Sequence, residues 1–125
     1  MLDRLAAKER RRRPTDEGLQ ARANELSAKY LDGRARPTTV RWVDNQQHRW
    51  GSCTPDNATI RISTRLKGLP EWVIDYVIIH ELVHLLVPSH GPQFWALVEQ
   101  YPKAERARGF LEGFSAAAHN APEEC

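Results

Sequence analysis

The stretch Trp72 to Val87 constrains this chain most. It is almost wholly apolar, yet Asp75, His80, Glu81 and His84 stand inside it. Four polar or ionisable side chains in so short a run rule out a bilayer span. Apolar residues fall on most sides of the helix it would form, and such a helix belongs in a protein interior. Burying imidazoles and carboxylates costs a few kcal/mol each unless they find partners. The fold must therefore cover this helix nearly all round and supply something for His80, Glu81 and His84 to bind.

Their spacing says what. On an α-helix His80 and His84 project within roughly 40° of each other, one turn apart, while Glu81 lies about 100° round from His80. The two imidazoles can share one ion. Glu81 is badly placed as a further ligand but well placed to reach a water on that ion. This is the His-Glu-x-x-His arrangement of zinc hydrolases, in which the carboxylate takes a proton from the metal-bound water. Catalytic zinc sites generally have three protein ligands, and His90 is the best third candidate. In a continued helix it would lie about 9 Å beyond His84 and roughly 120° away, unable to converge. A break is needed, and the sequence supplies one. Pro88 has no N–H to offer the carbonyl of His84 and its ring clashes there, and Gly91 frees the backbone. Glu105, 21 residues after His84, is the alternative third ligand. An ordinary metzincin is excluded: Val87 occupies that class's glycine position, and the only methionine is Met1, so no downstream methionine turn exists.

Around this centre, Asp16 to Leu31 reads as an amphipathic helix, with Leu19, Ala23, Leu26 and Tyr30 at helical spacing and Asp32-Gly33 as its stop. Three strands follow: residues 38–43, 48–53 and 59–63, the last two joined by turn-forming Thr54 to Asn57. They are expected to form a small antiparallel sheet with one face covered. Pro70 opens the central helix, expected to reach about Val87. Pro92 opens another to about Tyr101, Lys103 to Leu111 is a last helix, and residues 115–125 are a frayed tail. The fold class expected is α+β, with flanking helices. With 125 residues there is room for one small domain and none for a separate cofactor domain.

Charge divides unevenly. Residues 1–41 hold 11 Lys/Arg against 6 Asp/Glu, a balance of +5, and residues 42–125 hold 7 against 10, a balance of −3. The excess centres on Arg10 to Arg13. Residues 1–15 are expected to be a solvated segment, with phosphate contact to nucleic acid as the alternative. Acidic Asp3 and Glu9 argue against a mitochondrial presequence, and no apolar run follows Met1, so no secretory leader is expected. Two cysteines, Cys53 and Cys125, lack a metal-pairing spacing. The expected setting is reducing and cytoplasmic, without a membrane.

Three blocks in order, Arg49-Trp50-Gly51-Ser52-Cys53, His80-Glu81-Leu82-Val83-His84 and His90-Gly91-Pro92-Gln93-Phe94-Trp95, resemble the YgjP-like metallopeptidase domain, a relative of SprT-like and WLM zincins. The resemblance spans roughly residues 38 to 112. It implies a zincin-like fold over about residues 16–114, with a small antiparallel sheet packed on an active-site helix. It also implies His80, His84 and His90 as zinc ligands, Glu81 as general base, and a peptide or protein substrate. Only some 37 residues precede the first strand, fewer than in longer relatives, and the zinc-ribbon cysteines of some SprT-like proteins are absent. The first block has two readings: a strand edge near the metal that pairs with extended substrate, or a core Trp50 with Gly51 marking a bulge. Cys53 is expected to be a small buried residue, and Trp72, Phe94 and Trp95 packing. His48 and His119 are bystanders, and Glu71 and Asp75 solvent-side or supporting groups. Arg49, His48, Tyr76 and Tyr101 are candidates for stabilising an oxyanion. Two rivals share these residues: a non-catalytic zinc-containing binding module, and a nucleic-acid-associated protease of SprT-like type.

Overall fold

The computed structural model describes residues 15–44 and 49–117. The basic segment before Thr15, His48, His119 and Cys125 lie outside these residues. Helix α1 (Asp16–Tyr30) starts where the sequence caps it. The N–H of Gly18 donates to the Thr15 hydroxyl at 2.9 Å, satisfying one of the amides left open at a helix start. Asp16 and Glu17 add negative charge at the positive end of the helix dipole. Asp32 and Gly33, with φ of 55° and 68°, turn the chain left-handed and end the helix.

Three strands follow, β1 (Thr39–Val43), β2 (Gly51–Thr54) and β3 (Thr59–Ser63), in the order β1-β3-β2. β2 and β3 form an antiparallel hairpin with unbroken register from Gly51↔Ile62 to Thr54↔Thr59. β1 pairs parallel with β3, from Thr39↔Thr59 to Val43↔Ser63. The sheet is therefore mixed, which corrects the antiparallel expectation. Alternation in a strand reports which face is buried, not which way the chain runs: Val40, Ile60 and Ile62 would turn inward in either direction. What orients β1 is α1. The N–H of Val40 donates to Gln20 Oε1 and that of Trp42 to Asp16 Oδ1, both at 2.8 Å. β1 thus runs back along α1, and the same two side chains satisfy amides on its outer edge that could otherwise recruit another strand.

Helix α2 (Glu71–His84) is the core element, buried from Val73 to His84. α1, β2, β3 and the two later helices, α3 (Pro92–Val98) and α4 (Ala104–Ala117), all pack on it. It stops at His84, three residues short of expectation. Leu85 and Leu86 donate to Leu82 and Val83, tighter bonds than an α-helix makes, and Pro88 disfavours helical angles at Val87. α4 continues to Ala117, three residues into the segment expected as a tail. Ser115 there is buried, and Ala116 and Ala117 are the strongest helix formers.

Of the two roles expected for Asp75, the solvent-side one is corrected. The residue points away from the imidazoles, as its angle on the helix requires, but that side is covered by α1 and not by solvent. Its carboxylate accepts two hydrogen bonds from Arg22, from Nε to Oδ1 at 3.0 Å and from Nη2 to Oδ2 at 2.7 Å. The paired carboxylate holds the Arg22 guanidinium well above its ordinary pKa. No helix among the described residues is long and apolar enough to cross a membrane.

Candidate metal centre

His80 and His84 leave the last turns of α2 with ring centroids 5.0 Å apart. Beyond His84 the chain doubles back, and the His90 ring comes to 5.4 Å from that of His80 and 4.6 Å from that of His84. The Nε2 atoms of His84 and His90 lie 2.9 Å apart. One ligand-capable nitrogen from each of the three rings falls within 4.8 Å of the others. The helical pair is buried and His90 exposed. The group therefore has a fixed inner side and a face open to solvent. Glu105, the alternative third ligand, does not join it. That side chain is exposed in a cleft between α3 and α4, lined also by Tyr76, Trp95, Glu99 and Arg108.

Phe94 forms the floor. It is fully buried, and its ring lies 4.9, 4.5 and 4.9 Å from those of His80, His84 and His90. Pro92 at the start of α3 places this residue one turn behind the histidine loop. The expectation that Phe94 packs against the active helix holds. The same expectation holds for Trp72, which packs on Phe110 and beneath the Arg106 guanidinium.

Glu81 is 1% exposed and lies against β2. A Cβ placed on Gly51 would meet Glu81 Cγ, Glu81 Oε2 and the carbonyl oxygen of Arg61, each at 3.2 Å. Gly51 thus lets a strand backbone approach the carboxylate. The unbroken β2–β3 register shows no bulge there, which corrects that reading of the glycine. The Trp50 half of the reading stands: its side chain is buried between the Arg65 guanidinium, 4.7 Å from the ring centre, and Phe114. β2 is an outer strand of the sheet as well, so a strand margin does lie beside the carboxylate. A cavity of about 20 Å³, enough for one water, is bounded by Trp50, Gly51, Tyr76, His80 and Glu81.

The other residues singled out divide clearly. Tyr76 is buried one turn before His80, its ring 6.1 Å from that imidazole. The Tyr101 hydroxyl donates to the Trp72 carbonyl at 2.9 Å, a structural bond on another side of α2. Arg49 is exposed, and its carbonyl accepts from Arg65. Cys53 is a half-buried free thiol, less buried than expected. Gly51 and Trp95 stand out in the sequence, but not for close approach to Glu81 in the one case or for contact with His90 in the other. Gly51 next to an aromatic was a usable signal of close backbone approach. The role of Trp95, taken up below, had no signal in the sequence.

The α+β domain brings a His-Glu-x-x-His turn beside a small sheet, an arrangement that fits a metallopeptidase domain. The pattern of the YgjP-like family, described as a metallopeptidase domain, matches residues 4–113. The chain belongs to that family, and its class of activity is peptide hydrolysis. The match includes α1 and part of the basic segment, so it extends further than the three blocks alone. Among solved structures, the metallopeptidase zymogen abylysin of Pyrococcus abyssi is similar, with a TM-score of 0.67 at 23% identity over 82% of this chain and 97% of that one. That likeness bears on the fold. A comparison with curated proteins gives no match.

Proposed function

We propose that the chain is a zinc-dependent peptidase, with His80, His84 and His90 holding the ion and Glu81 acting as general base, on a unit of residues 16–114. The observation that carries this reading is the convergence of three imidazoles beside a buried carboxylate that a glycine admits to the sheet. The donor set fits the ion. Imidazole suits zinc, and three ligands with an open face are the catalytic pattern. Bonds of about 2.0–2.1 Å at tetrahedral angles put ligand nitrogens roughly 3.3 Å apart. The 2.9 Å between His84 and His90 is within a few tenths of an ångström of that, and His90 is the exposed, adjustable member.

Bound zinc supplies polarisation of the scissile carbonyl and acidification of a water. Glu81 takes the proton of the attacking water on a carboxylate oxygen as the water oxygen bonds to the carbonyl carbon, then delivers it to the amine nitrogen as the C–N bond breaks. Gly51, lacking a side chain, leaves room for that carboxylate against β2. Tyr76, retained by its position beside His80, is the candidate donor to the carbonyl oxygen as negative charge builds there. An extended substrate would add to the margin of β2 by main-chain hydrogen bonds. The free thiol of Cys53 suits a reducing, cytoplasmic setting.

Glu81→Gln tests the base. It should keep stoichiometric zinc and the wild-type melting temperature while turnover of quenched fluorescent peptides falls about 10²–10⁴-fold. His90→Ala should lose the zinc. Wild-type turnover in Glu81→Gln, or carefully purified wild type without stoichiometric metal, would defeat the proposal.

A further inference from the structure

The three imidazoles are not held alike. His80 and His84 ride on a buried helix, whereas His90 is exposed on the loop between α2 and α3. A ligand on a loop needs its backbone fixed, because a loop free to move loses ordering entropy each time the ion binds.

Trp95 meets this need in three ways. Its indole N–H donates to the carbonyl oxygen of His90 at 3.1 Å. Its backbone N–H donates to the carbonyl of Gly91 at 3.2 Å. Its ring is stacked with the His90 imidazole, the planes 25° apart and the centroids 5.9 Å apart. The indole is itself held from outside the loop. The Arg108 guanidinium on α4 lies over it, 4.2 Å from the ring centre, and Glu112 Oε1 approaches the same guanidinium at 3.8 Å. A line of contact thus runs from α4 through Arg108 and Trp95 to the backbone of His90.

We propose that Trp95, braced by Arg108, is the positioning residue of the third imidazole, and so sets how tightly the centre grips its ion. This rests on the metal reading above, in which Trp95 is not itself a ligand. Partners that orient metal ligands typically contribute 10–100-fold in affinity, and here the oriented group is the ligand's main chain. Trp95→Phe isolates the effect. It keeps an aromatic ring for His90 and for Arg108 while removing the N–H that reaches the His90 carbonyl, together with the pyrrole part of the indole. Arg108→Gln, at an exposed site, leaves the indole intact and removes the cation above it.

The test titrates metal-free full-length protein with Co²⁺ against a chromophoric chelator and records the visible absorption of the bound ion. Trp95→Phe should weaken Co²⁺ binding about tenfold or more and change the absorption envelope. Arg108→Gln should weaken it about two- to fivefold, the size of an exposed cation–π contact, and Arg108→Lys should recover part of that. Metal-free melting temperatures should stay close to wild type. Wild-type Co²⁺ affinity and spectrum in both Trp95→Phe and Arg108→Gln, with His90→Ala abolishing binding, would overturn the positioning role and leave the metal centre standing. Full Co²⁺ affinity in His90→Ala would overturn the centre itself, and the brace with it.

Discussion

Alanine at position 51 should slow turnover without disturbing the metal or the fold. The added methyl carbon would stand 3.2 Å from three atoms, the Arg61 carbonyl oxygen and the Cγ and Oε2 of Glu81. Relaxation to ordinary contact requires about 0.2–0.4 Å. The Arg61 carbonyl belongs to a strand backbone held on both sides by β1 and β2. The end of the Glu81 side chain is the softer neighbour, so the displacement falls on the carboxylate. If a misplacement of 1 Å costs about 10²-fold in rate, 0.2–0.4 Å costs about 2.5–6-fold, or roughly 0.5–1 kcal/mol in the barrier. Stability should move less. Overpacking destabilises by about 1–3 kcal/mol where nothing yields, and replacing glycine in extended backbone returns about 0.4–1 kcal/mol through the unfolded chain. The measurement is kcat/KM on a quenched fluorescent peptide, with zinc content and melting temperature taken on the same preparation. An unaltered rate would refute the idea that Gly51 seats Glu81. A rate loss matched by zinc loss would show that the strand supports the imidazoles instead.

Two further outcomes are expected. Arg22→Met should destabilise the fold by about 2–4 kcal/mol. This is below the range for breaking a fully buried pair, because the Arg22 side chain is 27% exposed. Arg22→Met with Asp75→Leu should recover most of it in urea melts, and a double variant no more stable than the single would refute the pairing as the cause. The Arg22 pKa is raised, so its stabilising effect is complete below the ordinary arginine value and lost only above it. The cost of Arg22→Met should therefore be the same at about pH 6 and pH 9. Separately, zinc at 100 times its dissociation constant should stabilise the wild type by about 2.7 kcal/mol, a rise of roughly 10–20 °C in melting temperature for a domain of this size. An unchanged melting temperature would argue against a site specific to the folded chain.

The candidate site was legible because it is local. His80, Glu81 and His84 sit on one helical turn, and Pro88 with Gly91 announces the bend that returns His90. The helices were legible for the same reason, through the stop at Asp32-Gly33 and the prolines at 70, 88 and 92, although α3 ends at Val98, three residues before the expected Tyr101. What escaped depends on neighbours remote in sequence. The direction of β1 is decided by Gln20 and Asp16 on another element. The position of Asp75 on its helix gave a direction but could not say that α1 covers it. The indole of Trp95 has an address, the His90 carbonyl, that no spacing encodes. The extension of α4 through Ala116 and Ala117 is different: it follows from local helix propensity, which outweighs the polar residues of that segment.

The parallel pairing of β1 also governs the order in which the protein can be assembled as it is made. Thr39 must wait for Thr59, 20 residues later, before its ladder can close. At about 5–20 residues per second, α1 and β1 spend roughly 1–4 s of synthesis with Val40 and Trp42 lacking their sheet neighbour. The β2–β3 hairpin needs only its own short turn. The nascent N-terminal third therefore waits for a template that the ribosome has not yet delivered.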